Sequence, residues 1–217
     1  LPICTPRERY NFTQLSTPPL RQYLADVVDY YKLALSSDEP YIKYISFYHI
    51  MEYFYDEVFK KKMVSDLRNK ITSPDFTYKN DDKVYEIAKF VNNRMRMDSK
   101  SGLGDEAESL KFVLMEYVPI EELRARIATI DPTAETYYQT SKVVFCNAPS
   151  IAWSDVQGVY TQLCKRIYAT RNSLIHSKSG RKHELYHPYK DEPILRKEIP
   201  LVKAVAELII INSSSVL

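Results

Sequence analysis

Apolar residues recur along most of the chain at the spacing of an amphipathic helix. Residues three and four positions apart share one face of a helix, whereas a half-buried strand alternates every second residue. A broad aromatic stripe of this helical type runs from Tyr41 to Val58. Two further stripes are formed by Leu20, Leu24, Val27, Tyr31 and Leu35, and by Val156, Tyr160, Leu163, Ile167 and Leu174. The pattern predicts an all-α protein.

Capping residues, prolines and glycines divide this pattern into a bundle of about seven helices. We expect one domain over residues 18–217, preceded by an arm or linker remnant at residues 1–17. The second helix is expected to be the longest, continuing through the KKKMVSDLRNK segment at residues 60–70 until Pro74 breaks it. The predicted helices begin near residues 16, 41, 84, 105, 119, 153 and 201.

Two segments lack a clear helical pattern. Residues 129–152 are the least regular, and SKVVFC at residues 141–146 is expected to form a short strand. The sixth helix is predicted from Trp153 to Ser177, where Ser179-Gly180 ends it. The polar segment that follows contains prolines at 188, 193 and 200, which disfavour a helix. The last helix is therefore expected only over Leu201–Ile211.

Composition narrows the class of protein. The 217 residues can bury one core, and 45% hydrophobic with 27% charged residues is typical of a globular chain. A net charge of +2 does not by itself indicate nucleic-acid binding, so local clusters must carry any such hypothesis. Cys4, Cys146 and Cys164 form no C-x-x-C motif, which predicts a reducing, cytoplasmic location. No segment resembles a signal peptide or a membrane span.

The segment RNSLIHSKSGRKHELYH, Arg171 to His187, contains two motifs with incompatible chemistries. The second motif is H-E-x-x-H, formed by His183, Glu184 and His187, which in zinc hydrolases places two histidines on one helix beside a glutamate. Pro188 follows directly and disfavours helical backbone at His187. We therefore interpret this motif as a solvated loop, predict no metal or other cofactor, and keep a zinc hydrolase as a remote alternative.

The first motif, R-N-x-x-x-H, groups Arg171, Asn172 and His176 near the end of the sixth helix. Asn172 and His176 are one turn apart, so the amide can orient the imidazole. Arg171 and His176 are about 140° apart around a regular helix, so they converge only if the helix distorts or a second copy packs across a two-fold axis. The structural alternative is an ion pair at Arg171 and a helix-end cation at His176.

These residue types suit the cleavage of RNA. Histidine moves protons near neutral pH, and arginine offers a charged, planar donor fork to phosphate oxygens. The 2′-hydroxyl of RNA supplies its own nucleophile, so no metal is needed. The basic residues flanking the motif are candidates for RNA binding: Lys165, Arg166, Lys178, Arg181 and Lys182.

The R-N-x-x-x-H motif, late in an all-α domain, resembles the R-x(4–6)-H motif of the HEPN superfamily. KLALSSDEPYIKYISFYHIMEYFYDEV at residues 32–58 and KRIYATRNSLIHSKSG at residues 165–180 look like the Apea-like HEPN branch. The resemblance extends over roughly Leu20 to Leu208, with strong matches in these two segments. Glu52, in YHIMEYF, stands where Apea-like members carry a glutamate on the second helix; the alternative is a salt bridge to a neighbouring helix.

What this resemblance implies is a metal-independent endoribonuclease with Arg171 and His176 as its catalytic pair and Asn172 beside them. Members usually dimerise and place two motifs in one cleft, and many are toxins or effectors of antiviral and abortive-infection defence. Because the sequence begins at Leu1, we expect another domain or subunit to be fused to it or to regulate it. Some HEPN domains are inactive, so a dimerisation or nucleotide-binding and partner-binding module is the alternative from a different class.

Overall fold

The computed structural model describes residues 21–100, 104–175 and 185–216, with side chains described for all of these except 94–100, 104 and 105. Most of the described chain is helical, so the predicted all-α class is confirmed. The predicted arm at residues 1–17 lies outside the described residues. The helices are α1 (Ala25–Ser36), α2 (Pro40–Glu52), α3 (Tyr55–Ile71), α4 (Asp81–Lys100), α5 (Gly104–Tyr117), α6 (Ile120–Ile130), α7 (Ala134–Thr140), α8 (Val159–Ile175) and α9 (Pro188–Asn212).

The two ends of the described chain meet in a small antiparallel pair. Strand β1 (Arg21–Gln22) pairs with β2 (Ser215–Val216). Nη1 of Arg21 also donates to the carbonyl of Ile211 at 3.1 Å. None of the described helices combines the length and the apolar character needed to cross a membrane.

Helix α2 is largely buried and packs mainly against α1 and α9. The prediction of a single long second helix is wrong, because α2 ends at Glu52 and α3 begins at Tyr55. Neither proline nor glycine marks this break; Phe54 within it is buried, with its ring 5.2 Å from that of Tyr117. The break leaves Glu52 at the C-terminal end of α2.

The predicted start of the last helix at Leu201 is also wrong. Helix α9 begins at Pro188 and continues through Pro193 and Pro200. At the second of these prolines, the hydroxyl of Tyr138 donates to the carbonyl of Lys197 at 2.7 Å and accepts from the N–H of Leu201 at 3.0 Å. An uninterrupted helix would pair these two backbone groups with each other. A side chain from α7 thus bridges the interruption, which is one way a helix accommodates internal proline.

The segment before α8 differs from the expectation as well. SKVVFC forms no strand: Val144–Cys146 is a short 3₁₀ helix, and Val143 and Ala148 form one isolated bridge. Helix α8 starts at Val159 and not at Trp153, which leaves Val156 outside the helix and exposed. The Asp155 carboxylate accepts from the N–H of Gly158 at 2.9 Å in the turn before the helix. A Cβ at Gly158 would lie 1.9 Å from Oδ2 of that carboxylate, so any larger residue would displace the Asp155 side chain from this turn.

A candidate active site around Arg171

Helix α8 holds Arg171 at the flank of its buried face. Leu163, Ile167 and Leu174 on this helix are packed in the core, and Arg171 follows Ile167 by one turn. Its side chain is 13% exposed. The guanidinium therefore lies at the boundary between the core and the surface, where it can contact both buried groups and a ligand.

Side chains from three helices surround this guanidinium. Nη2 of Arg171 donates to Oε1 of Glu52, at the end of α2, at 2.7 Å. Nη1 donates to Oε2 of Glu106 on α5 at 3.2 Å and to Oδ1 of Asn172 at 3.2 Å. We call Arg171, Asn172, Glu52 and Glu106 the Arg171 cluster. Glu52, which the family resemblance singles out, thus contacts the arginine of the R-N-x-x-x-H motif.

The cluster keeps Arg171 charged. The guanidinium carbon lies 5.1 Å from the centre of the Tyr48 ring, a favourable cation–π arrangement. Burial lowers the pKa of Arg171, but Tyr48, Glu52 and Glu106 together raise it above its ordinary value. One guanidinium faces two carboxylates here, so this group of side chains is formally negative when both are ionised.

The two edges of the guanidinium are not equivalent. Glu52 is close to Nη2 and only 23% exposed, whereas Glu106 is farther from Nη1 and 33% exposed. Nε of Arg171 is buried and has no hydrogen-bond partner among the described groups. The Nη1 edge therefore carries the weaker partners, and a phosphate that displaced Glu106 would meet a charged, planar donor there.

His49, which was not among the predicted site residues, contacts the cluster through Glu52. Nδ1 of His49 lies 2.6 Å from Oε2 of Glu52, one turn later on α2. The Tyr30 ring of α1 packs on the imidazole, with ring centres 5.1 Å apart. The H-x-x-E spacing in YHIMEYF, which puts both side chains on one helix face, was the available signal.

Several predicted site residues lie outside the described residues: His176, Lys178, Arg181, Lys182, His183 and Glu184. The pairing of Arg171 with His176 therefore stays a prediction, as does the orientation of His176 by Asn172. The amide oxygen of Asn172 accepts a hydrogen bond from Nη1 of Arg171.

The prediction that Arg166 binds RNA is wrong. Its side chain is 0% exposed, and the guanidinium makes two 2.8 Å hydrogen bonds to the carboxylate of Glu198 on α9. Nη1 donates to the carbonyls of Ser141 and Pro149 at 2.8 and 2.9 Å. A group with these partners has no donor edge left for RNA. Lys165 is exposed, but it lies roughly 120° from Arg171 around the helix.

The backbone at His187 agrees with the interpretation of H-E-x-x-H. His187 has φ −110° and ψ 112°, extended values, and α9 starts at Pro188 after it. His187 therefore does not share a helix with residues before it, as the two histidines of a zincin must. Among the described side chains, no group of three or more His, Cys, Asp or Glu is arranged to hold a metal ion.

The described cysteines are free and buried, at Cys146 and Cys164; Cys4 lies outside the described residues. Burial raises the pKa of each of these two thiols to about 11. They are therefore protonated near neutral pH and do not provide a thiolate nucleophile.

Searches against protein-family models, curated proteins and solved structures each found no match to the chain.

Proposed function

We propose that the chain is a metal-independent endoribonuclease of the HEPN type, acting as the effector or toxin domain of a larger defence protein. The observation that carries the proposal is the contact between Arg171 and Glu52 at 2.7 Å. It joins the arginine of R-N-x-x-x-H to the second-helix glutamate expected from the resemblance. The partly exposed guanidinium is charged and has an edge with replaceable partners, which suits a phosphate ligand.

In this mechanism the substrate supplies the nucleophile. The 2′-hydroxyl oxygen attacks the adjacent phosphorus, its proton leaves to a base, and the bond from phosphorus to the 5′-oxygen breaks as that oxygen takes up a proton. His176 acts as base or acid in these transfers. Arg171 stabilises the charge that develops on the non-bridging oxygens, and Asn172 orients the site. The products carry a 2′,3′-cyclic phosphate and a 5′-hydroxyl.

The proposal includes a homodimer formed through α8. Arg171 and His176 converge poorly on one regular helix, and a two-fold axis beside α8 would bring the motifs of two copies into one cleft. Light scattering at increasing protein concentration should report twice the mass of one chain. A chain that stays monomeric at high concentration yet cleaves RNA would rule out the shared cleft.

The test of activity uses the chain in EDTA with RNA and with DNA of the same sequence. Wild type should cut RNA and leave DNA intact, because DNA lacks the attacking hydroxyl. His176→Ala should lower the rate by about 10² to 10⁴, and Arg171→Ala by about 10² to 10³, as for loss of one charge-stabilising donor. Lys142→Ala, on the loop after α7, is the control that should keep the wild-type rate.

Cleavage of DNA, or an unchanged rate in His176→Ala, would refute this mechanism. Inhibition by EDTA that is reversed by a divalent metal would refute its metal independence. Each result is separable from misfolding, because the helical circular dichroism of every variant can be compared with that of wild type.

The second candidate is an inactive HEPN module that binds a nucleotide or a partner. The observation that favours it is that both Glu52 and Glu106 already pair with Arg171, as they would if the arginine only held α2, α5 and α8 together. This candidate would be supported over the nuclease if the wild type binds RNA or a nucleotide but cuts no RNA. The Arg171→Ala variant should then bind the same ligand more weakly.

A further inference from the structure

The Glu52 carboxylate bridges two functional groups, one with each oxygen. Oε1 accepts from Nη2 of Arg171 at 2.7 Å, and Oε2 lies 2.6 Å from Nδ1 of His49. Exposure increases along this chain of contacts, from 13% at Arg171 through 23% at Glu52 to 40% at His49. The imidazole is therefore the outermost member of a line of polar groups that begins at the core.

The contact links the tautomer of His49 to the ionised form of Glu52. An ionised carboxylate only accepts hydrogen bonds, so with Glu52 in that form Nδ1 of His49 is the donor. In the neutral ring the remaining nitrogen, Nε2, then carries the lone pair. Glu52 thus prepares Nε2 to accept a proton from a ligand, as a carboxylate does for the histidine of a nucleophile–base pair.

The position of the imidazole is set from two sides. Tyr30 packs against the ring, at an interplanar angle of 35°, and Glu52 holds the Nδ1 edge. Glu52 in turn pairs with Arg171, which also pairs with Glu106 on α5. A surface pair of His and Glu at i,i+3 would only stabilise its own helix; here the glutamate also ties the imidazole to the arginine of the proposed site.

We propose that His49 is a catalytic base of the nuclease, with Glu52 as the residue that positions it. This inference rests on the proposed function and assigns one of its proton transfers. Nε2 of His49 takes the proton from the 2′-hydroxyl, the 2′-oxygen forms its bond to phosphorus, and the bond from phosphorus to the 5′-oxygen breaks. The departing 5′-oxygen takes up a proton, as in the proposed function. Arg171 contacts the other oxygen of Glu52, and in this assignment its Nη1 edge binds the phosphate.

The experiment compares His49→Ala and Glu52→Gln with wild type on an RNA oligonucleotide in EDTA. His49→Ala should lower kcat by about 10² to 10⁴, the range for loss of a general base, with little change in KM. Free imidazole added to His49→Ala should restore part of kcat, because it can enter the space left by the side chain and accept the proton. Glu52→Gln should lower kcat less, since His49 remains.

Glu86→Gln on α4 is the matched control for Glu52→Gln, because Glu86 also pairs at i,i+3, with Lys83 at 3.5 Å, and lies outside the site. It should keep the wild-type kcat. An active wild type whose kcat is unchanged by His49→Ala would overturn the role of His49 and leave the proposed function standing. Loss of activity without imidazole rescue and with a lowered unfolding temperature would show a structural role and also overturn it. A wild type that cuts no RNA would overturn both proposals together.

Discussion

Arg166 and Arg171 lie five positions apart on α8 and have different surroundings. Arg166 is 0% exposed and gives its donors to Glu198 and to two loop carbonyls, with the Tyr137 and Tyr138 rings 5.3 and 5.1 Å from the guanidinium carbon. The guanidinium of Arg171 packs on the Tyr48 ring and pairs with the partly exposed carboxylates of Glu52 and Glu106. Its Nε is buried and has no hydrogen-bond partner among the described groups.

Arg166 is therefore a structural residue, whereas Arg171 is accessible enough to bind a ligand. Burial lowers the pKa of Arg166, but Glu198 raises it above its ordinary value, so the pair is a buried ion pair between α8 and α9. Such a pair stabilises little relative to an apolar pair, but loss of one partner leaves a buried charge. The partners of Arg171 can regain water when they separate, so they can be exchanged for a phosphate at moderate cost.

The largest expected effect is on stability at Arg166. Arg166→Met should lower the free energy of unfolding by about 3 to 5 kcal/mol, because it leaves Glu198 buried and unpaired. Arg171→Met should lower it by roughly 1 kcal/mol, since its carboxylates are partly hydrated. Urea unfolding followed by circular dichroism measures both. Equal losses would contradict the distinction between the two arginines.

A double variant tests whether the unpaired Glu198 carboxylate causes the loss of stability in Arg166→Met. Arg166→Met combined with Glu198→Met should recover part of the lost stability, because no buried charge remains. Recovery should be incomplete, since the carbonyls of Ser141 and Pro149 lose the donor that Arg166 provides. A double variant less stable than Arg166→Met alone would show that the unpaired carboxylate is not the main cost.

A smaller effect is expected at the tyrosines that pack on each arginine. Tyr138→Phe should destabilise by about 1 to 3 kcal/mol, because the interrupted backbone groups at Lys197 and Leu201 lose their bridge. Tyr48→Phe removes one hydrogen bond, from the Tyr55 hydroxyl at 2.9 Å, and should cost about 1 kcal/mol. Thermal unfolding measures the loss of stability in both variants. A larger loss in Tyr48→Phe than in Tyr138→Phe would contradict this prediction.

The smallest effect is expected at Glu106. Glu106→Gln removes one negative charge facing Arg171 and should tighten binding of a non-cleavable 2′-O-methyl RNA by up to about fivefold, the equivalent of a partly exposed ion pair of about 1 kcal/mol. Stability should change little. Fluorescence anisotropy at fixed salt measures the affinity. Weaker binding by Glu106→Gln would indicate that Glu106 itself contacts the ligand.

Local patterns predicted the class of fold but not how its helices are interrupted. The 3.6-residue period identified the helices because each buries one face in the core. It did not separate α2 from α3, because the break between them contains no proline or glycine and coincides with Phe54, which is buried against Tyr117. The prolines at 188, 193 and 200 were expected to delay the last helix until Leu201, but α9 begins at Pro188, and a hydroxyl from α7 accommodates Pro200. Both features depend on contacts between residues far apart in sequence.

The same limit applies to the site. Arg171 and Asn172 came from a local motif and Glu52 from a family resemblance, and the three lie together. Glu106 belongs to the cluster only because α5 packs on α8, which no spacing in the sequence reports. Arg166 was assigned to RNA binding because basic residues near a motif suggest a binding surface, but its direction on α8 faces the core. His49 had a usable local signal in its spacing to Glu52.

The most direct test of the central claim is cleavage of oligonucleotides that carry one ribose in an otherwise 2′-deoxy strand, in EDTA, with each base placed at the ribose in turn. Wild type should make a single cut immediately 3′ of the ribose and leave a 2′,3′-cyclic phosphate. Arg171→Met should cut about 10² to 10³ times more slowly, and Lys142→Ala should cut at the wild-type rate. Cutting at deoxy positions, or equal cutting by Arg171→Met, would contradict the account.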